Sequence, residues 1–184
     1  YATAYNNRAN AYYNLEDYNH AIDDYDKALQ LNTKFSIAYN GRGNAYYRLG
    51  DSDHALLDFS RAIGLNPKFA VAYNGRGLAY YEKGNYGLAF QDYTKAIALV
   101  PNLGESYNNR GTIFYNRGLY TYALKDFDKA VTFNPKLAQA YLNRGNTYYK
   151  MRDYEHAVKD FDSFIDQNTQ SAVGYLNRGI ALYQ

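Results

Sequence analysis

Three histidines, His20, His54 and His156, are each followed four residues later by an aspartate: Asp24, Asp58 and Asp160. On a helix that spacing puts imidazole and carboxylate on one face, where they could share a metal ion or a proton. No third ligand accompanies the pairs, so the reading is a solvated histidine beside a structural aspartate, with no metal and no cofactor. Gly41-Arg42-Gly43 and Gly75-Arg76-Gly77 look like fragments of a phosphate-binding loop. They lack the further Gly and Lys and fall inside helical patterns, so they read as packing glycines. Asp23 and Asp24 are consecutive on a helix and point in different directions. With no cysteine and no Ser-His-Asp order, the chain is not expected to be an enzyme.

What positions these residues is a repeat. Pro67, Pro101 and Pro135 follow one another at 34-residue intervals. The same step links Tyr5, Tyr39, Tyr73, Tyr107, Tyr141 and Tyr175, and also Arg8, Arg42, Arg76, Arg110, Arg144 and Arg178. Of the 24 tyrosines, only Tyr1 and Tyr122 lie outside five columns of this repeat. Tyr39, Gly43 and Tyr46 mark one face of a helix, and Gly50 ends it. Asp51 can cap the helix that follows, whose stripe is Ala55, Phe59, Ala62 and Ile63. Asn66-Pro67 closes the unit. The pattern predicts an all-α chain of helix hairpins, with repeats at about 2–35, 36–69, 70–103, 104–137 and 138–171 and a terminal half repeat at 172–184.

The aromatic Tyr39, then Gly43, Tyr46, Ala55, Phe59, Ala62 and Pro67, resemble the tetratricopeptide repeat in order and spacing. Tyr73, Gly77, Tyr80, Ala89, Tyr93, Ala96 and Pro101 repeat the match, and the resemblance covers essentially the whole chain. It implies a single array, a right-handed superhelix (solenoid) of five hairpins plus one terminal helix. The first helix of each hairpin would line a concave groove, and the terminal helix would cap the array.

The chain departs from that pattern at one column, with Arg in all six copies where the family has Leu before Gly. Five second helices carry Asp24, Asp58, Asp92, Asp126 and Asp160. The expectation is a structural ladder in which Arg42, Arg76, Arg110 and Arg144, with Arg8, bond neighbouring aspartates. The alternative is an anion-binding stripe, which the acidic column would neutralise. A second departure is Phe164, where other repeats have Ala28, Ala62, Ala96 and Ala130, paired with Gly174 where they have Ala140. A large residue facing a smaller one suggests compensated packing.

By the resemblance, the groove is lined by Asn6, Asn10 and Tyr13; Asn40, Asn44 and Tyr47; Asn74, Leu78 and Tyr81; Asn108, Thr112 and Tyr115; Leu142, Asn146 and Tyr149; and Leu176, Ile180 and Tyr183. Asn7, Asn109, Asn143 and Asn177 belong to a neighbouring column. An asparagine amide can pair with both groups of a peptide bond, and tyrosine offers flat apolar area with a polar tip. The implied function is a scaffold or adaptor binding an extended peptide segment of a partner protein; the alternative is a surface that only solvates the helices. An acidic chaperone tail is not the expected ligand, because the family's carboxylate clamp needs Lys where this chain has Asn6, Asn40, Asn74 and Asn108. Leu176, Ile180 and Leu182 make the end of the chain apolar, so a second reading is self-assembly, a homo-oligomer formed through terminal or outer helices.

Composition is consistent with this. The 184 residues carry 20 basic and 18 acidic groups, net +2, with no basic stripe to suggest nucleic acid. No apolar run approaches the roughly 20 residues of a membrane helix, so membrane insertion is not expected. The compartment is left open, a soluble cytoplasmic location being favoured. The chain starts at Tyr1 rather than Met, suggesting a processed or excised piece.

Overall fold

The computed structural model describes residues 1–184 and contains helices without strands. Eleven follow one another: α1 (Ala2–Asn14), α2 (Tyr18–Leu31), α3 (Ser36–Arg48), α4 (Ser52–Leu65), α5 (Ala70–Glu82), α6 (Tyr86–Leu99), α7 (Gly104–Asn116), α8 (Tyr120–Phe133), α9 (Ala138–Lys150), α10 (Tyr154–Gln167) and α11 (Ala172–Leu182). None is long and apolar enough to cross a membrane. The chain forms two compact units, Tyr1–Leu99 with α1–α6 and Val100–Gln184 with α7–α11. Within each unit the odd-numbered helix packs on the even-numbered helix that follows it, and on the next odd-numbered helix.

The turns explain why the helices stop where they do. Gly50, Gly84 and Gly118 hold φ of 82°, 75° and 73°, the left-handed conformation that a glycine adopts without strain. Glu16 and Arg152 occupy the same turn position at φ 61° and 63°. Arg152→Gly is therefore expected to stabilise the chain by about 1 kcal/mol, read as a raised urea midpoint. An unchanged or lowered midpoint would show that no strain is held there.

Asp17, Asp51 and Asp153 cap the second helices by accepting from the backbone N–H of His20, His54 and His156 at 3.2, 3.1 and 3.3 Å. The hairpins end at Asn32, Asn66 and Asn134, whose side chains accept from the backbone two residues on, at 3.1, 3.1 and 3.3 Å. These turns hold the chain extended for the next hairpin.

The core has two recurring parts. Alanines meet where a second helix packs on the next first helix, as with Ala28 and Ala38, Ala62 and Ala72, or Ala130 and Ala140. One aromatic per second helix, Tyr25, Phe59, Tyr93, Phe127 and Phe161, is fully buried. The Phe59 ring sits so close to α3 and α5 that a Cβ would lie 3.0 Å from it at Gly43 and 2.6 Å at Gly75. The Gly-Arg-Gly segments thus make room for rings inside helices.

At the last junction, Phe164 is buried against Gly174, where a Cβ would stand 2.9 Å from Phe164 Cδ1 and 2.8 Å from Ile165 Cγ1.

Candidate peptide-binding surface

The Arg and Asp columns meet inside each hairpin. Arg76 Nε and Nη2 donate to the two carboxylate oxygens of Asp92 at 2.7 and 2.8 Å. Arg42 forks Asp58 at 2.6 and 2.8 Å, Arg110 forks Asp126 at 2.8 Å on both arms, and Arg144 forks Asp160 at 2.8 and 2.7 Å. Arg8 forks Asp24 in the same way. The third nitrogen, Nη1, reaches back to the preceding repeat: to Asp26 from Arg42, to Ser60 from Arg76 at 3.3 Å, and to Asp128 from Arg144 at 2.8 Å. The bond to Asp92 holds the Arg76 pKa above its ordinary value. These guanidinium faces are occupied and do not form a row of unmatched cations.

The histidines turn away from the aspartates four residues on. His20, His54 and His156 Nδ1 lie 2.7, 2.7 and 2.8 Å from the capping carboxylates of Asp17, Asp51 and Asp153. Their rings stack on Tyr12, Tyr46 and Tyr148 at centroid distances of 5.3, 5.0 and 5.1 Å. The backbone N–H and ring of each histidine hold the Asp17 and Asp51 carboxyls below the usual range. Asp24, Asp58 and Asp160 belong to the arginines, so the sequence pairing at i, i+4 is replaced by one at i, i−3. The cap explains it: a carboxylate at the start of a helix faces the third residue on.

The predicted groove residues lie on α1, α3 and α5 in the first unit and on α7, α9 and α11 in the second, with Tyr183 at the C-terminal end of α11. They are not equally accessible. In the first unit Asn6 is 4% exposed, and the Oδ1 atoms of Asn6 and Asn40 are buried without a hydrogen-bond partner. Asn10 Oδ1 accepts from Tyr25 OH at 2.5 Å, and burial pushes the Tyr25 pKa up to about 12. Tyr47 OH donates to Glu82 Oε1 at 3.4 Å, and Asn44 is half-buried. Tyr13 and Tyr81 are braced edge-on by Tyr18 and Tyr86, at centroid distances of 5.4 and 5.1 Å, while Asn74 is half-buried on α5.

In the second unit Asn108 and Leu142 are buried, so they offer a ligand little surface. Asn108 Nδ2 donates to Asn109 Oδ1 at 3.3 Å, and its Oδ1 accepts from Asn143 Nδ2 at 2.9 Å. Asn177 Nδ2 donates to Asn146 Oδ1 at 3.0 Å. The asparagines thus bridge successive first helices, leaving only part of each amide for anything else. Tyr115 and Tyr149 lean on Tyr120 and Tyr154 at 5.6 and 5.5 Å.

Between α7, α9 and α11 these side chains enclose a recess of about 180 Å³, lined by Tyr115, Asn146, Tyr149, Lys150, Phe161, Asn177 and Ile180. Four of its seven residues, Tyr115, Asn146, Tyr149 and Ile180, are predicted groove positions, and Asn177 belongs to the neighbouring column. Phe161 forms its floor and occupies the repeat position of Phe59, which the sequence marks as an apolar stripe residue. The bracing tyrosines carried a signal, the column Tyr18, Tyr86, Tyr120 and Tyr154, without a role attached to it. The recess is apolar at its base, amide-lined at its walls and bordered by one lysine, which suits a single apolar side chain with a polar backbone on either side.

A profile described as tetratricopeptide repeat matches residues 2–35 and 70–103, and a second of the same description matches 138–171. A further one, described as TPR repeat, matches 43–84 and 111–151. No curated protein sequence matches the chain. Among solved structures, the chain is similar to YrrB, described as a TPR protein with an unusual peptide-binding site, at 26% identity and a TM-score of 0.68, over 97% of this chain and 92% of that one. It shares the fold of TTC0263, a thermophilic TPR protein from Thermus thermophilus, at 16% identity and a TM-score of 0.81, over the full length of both chains. It is also similar to the first TPR domain of Spaghetti (RPAP3) bound to an HSP90 peptide, SRMEEVD, at 28% identity and a TM-score of 0.62, over 64% of this chain and 93% of that one. The chain belongs to the tetratricopeptide repeat family.

Proposed function

We propose that the chain is a protein-interaction scaffold that holds an extended peptide segment of a partner against its first helices. The observation that carries this reading is the recess between Tyr115, Asn146, Tyr149 and Phe161, where a mouth of amides surrounds an aromatic base. An amide can answer the donor and acceptor of a peptide backbone, and a braced tyrosine loses little entropy when it is covered. Peptide binding by YrrB and by the RPAP3 domain, both at more than a quarter identity, supports the same reading. The ligand differs from SRMEEVD in kind, since Asn6, Asn40, Asn74 and Asn108 provide no ammonium group for a chain-terminal carboxylate. An internal segment with one leucine- or methionine-sized side chain fits better.

Panning a random peptide library against the chain tests this, with an Asn146→Ala variant of unchanged circular dichroism as the control. Peptides enriched on the parent should bind the variant about tenfold less tightly for the lost amide contact. No enrichment, or equal enrichment on both proteins, would overturn the reading.

A further inference from the structure

The recess has walls on α7, α9 and α11 and a floor on α10, and a single charged residue, Lys150, lines it. No carboxylate does. Charged residues at the same place in other repeats are engaged by their neighbours. Arg48 Nη2 lies 3.7 Å from Glu16 Oε1, and its guanidinium is 5.1 Å from the centre of the Tyr18 ring. Glu82 accepts from Tyr47 OH at 3.4 Å. Lys150 is exposed at the rim, and neither a carboxylate nor an aromatic ring takes up its ammonium group.

Asn146 stands one helical turn before Lys150, on the same face of α9. Its Oδ1 accepts from Asn177 Nδ2 at 3.0 Å, which leaves Nδ2 as the unpartnered group of that amide. Both groups that α9 brings to the recess are therefore hydrogen-bond donors, one neutral and one charged. A ligand that matches them presents acceptors, one of them an anion.

We infer, taking the chain as a peptide-binding scaffold, that the partner segment held here carries an aspartate or glutamate within two residues of the apolar side chain that fills the recess. The apolar side chain lies over Phe161. A main-chain carbonyl accepts from Asn146 Nδ2, and the acidic side chain accepts from Lys150 Nζ. The turn from Asn146 to Lys150 rises about 6 Å. An extended peptide advances about 3.3 Å per residue, so the span between the two donors covers roughly two residues of ligand. A basic segment would bring its charge to an ammonium group that no carboxylate offsets, and the recess selects against it for that reason.

The probe is a synthetic peptide library with leucine fixed at the centre and two randomised positions on either side. Its ends are acetylated and amidated, so that no chain-terminal carboxylate supplies the effect. The library is passed over the 184-residue chain and over its Lys150→Glu variant, both immobilised and matched in circular dichroism. Among peptides retained by the parent, aspartate and glutamate should be enriched about threefold over asparagine and glutamine at one of the randomised positions. On Lys150→Glu the preference should pass to lysine and arginine, and about 0.5 M salt should erase it on both proteins. Retained peptides without a charge preference, or with the same acidic preference on both proteins, would overturn the inference and leave the scaffold reading standing. Retention of no peptide at all would overturn both.

Discussion

Asp92→Ala is expected to lower the unfolding free energy by about 3–5 kcal/mol, among the largest effects of any single substitution in the chain. The Asp92 side chain is 8% exposed and its arginine 21% exposed, so removing the carboxylate leaves a guanidinium largely cut off from water. Arg76 would keep no carboxylate, only the neutral Ser60 hydroxyl at 3.3 Å and the Tyr73 and Tyr80 rings, 5.6 and 5.9 Å away. The loss belongs to the stranded charge and not to the worth of the pair. Replacing both residues, as Arg76→Leu with Asp92→Leu, should therefore recover most of the stability. Asp24→Ala supplies the contrast. Arg8 is 56% exposed and can rehydrate, so a much smaller shift in urea midpoint is expected there. Equal losses at Asp92 and Asp24, or a double variant as weak as the single one, would show that burial of the cation is not what makes the ladder matter.

A double-mutant cycle at the last junction should show the second large effect. Phe164→Ala empties a buried site and is expected to cost about 3–5 kcal/mol. Gly174→Ala alone forces a methyl group to within 2.9 Å of the Phe164 ring and is expected to cost about 1–3 kcal/mol, less the helix propensity that alanine adds. Together the two rebuild the alanine pair found at Ala130 and Ala140 and at Ala62 and Ala72. The double variant should then be more stable than the sum of the single losses by about 1–3 kcal/mol. Additivity in thermal or urea unfolding would mean that the two positions do not compensate each other.

The sequence made the hairpins readable because their determinants are local. Gly50 and Asp51 mark a turn and a cap, Pro67 marks an end, and the step from Tyr39 to Tyr73 counts the units. The Arg–Asp columns were legible too, since a cation and an anion sixteen residues apart straddle a single hairpin turn. Choices among competing partners were less legible. Asp24 lies near His20 along the helix but is claimed by Arg8, because a bidentate fork outcompetes an exposed imidazole for a carboxylate. His20 is left to Asp17, which the helix start already holds in place.

The surface was legible in type and less so in access. Asn6, Asn108 and Leu142 sit at first-helix positions by spacing, yet all three are buried, Asn108 against Asn143 of the following first helix, and packing between repeats is a feature that no single repeat encodes. Tyr115, Asn146 and Tyr149 stay open to the recess. Phe161 becomes its floor because the buried ring that fills the hairpin core lies beneath the gap between two first helices.

The paired departure at Phe164 and Gly174 also bears on assembly order. Near-identical repeats invite misregistered folding, in which a second helix accepts the first helix of a different repeat or of another molecule. Ala28, Ala62, Ala96 and Ala130 are interchangeable in this respect, since each would accept any first helix bearing Ala38, Ala72 or Ala140. Phe164 would not, because a methyl group at the facing position collides with its ring. Only α11 presents the glycine that fits. The junction therefore acts as a key that fixes which first helix packs after α10 and makes domain swapping there costly.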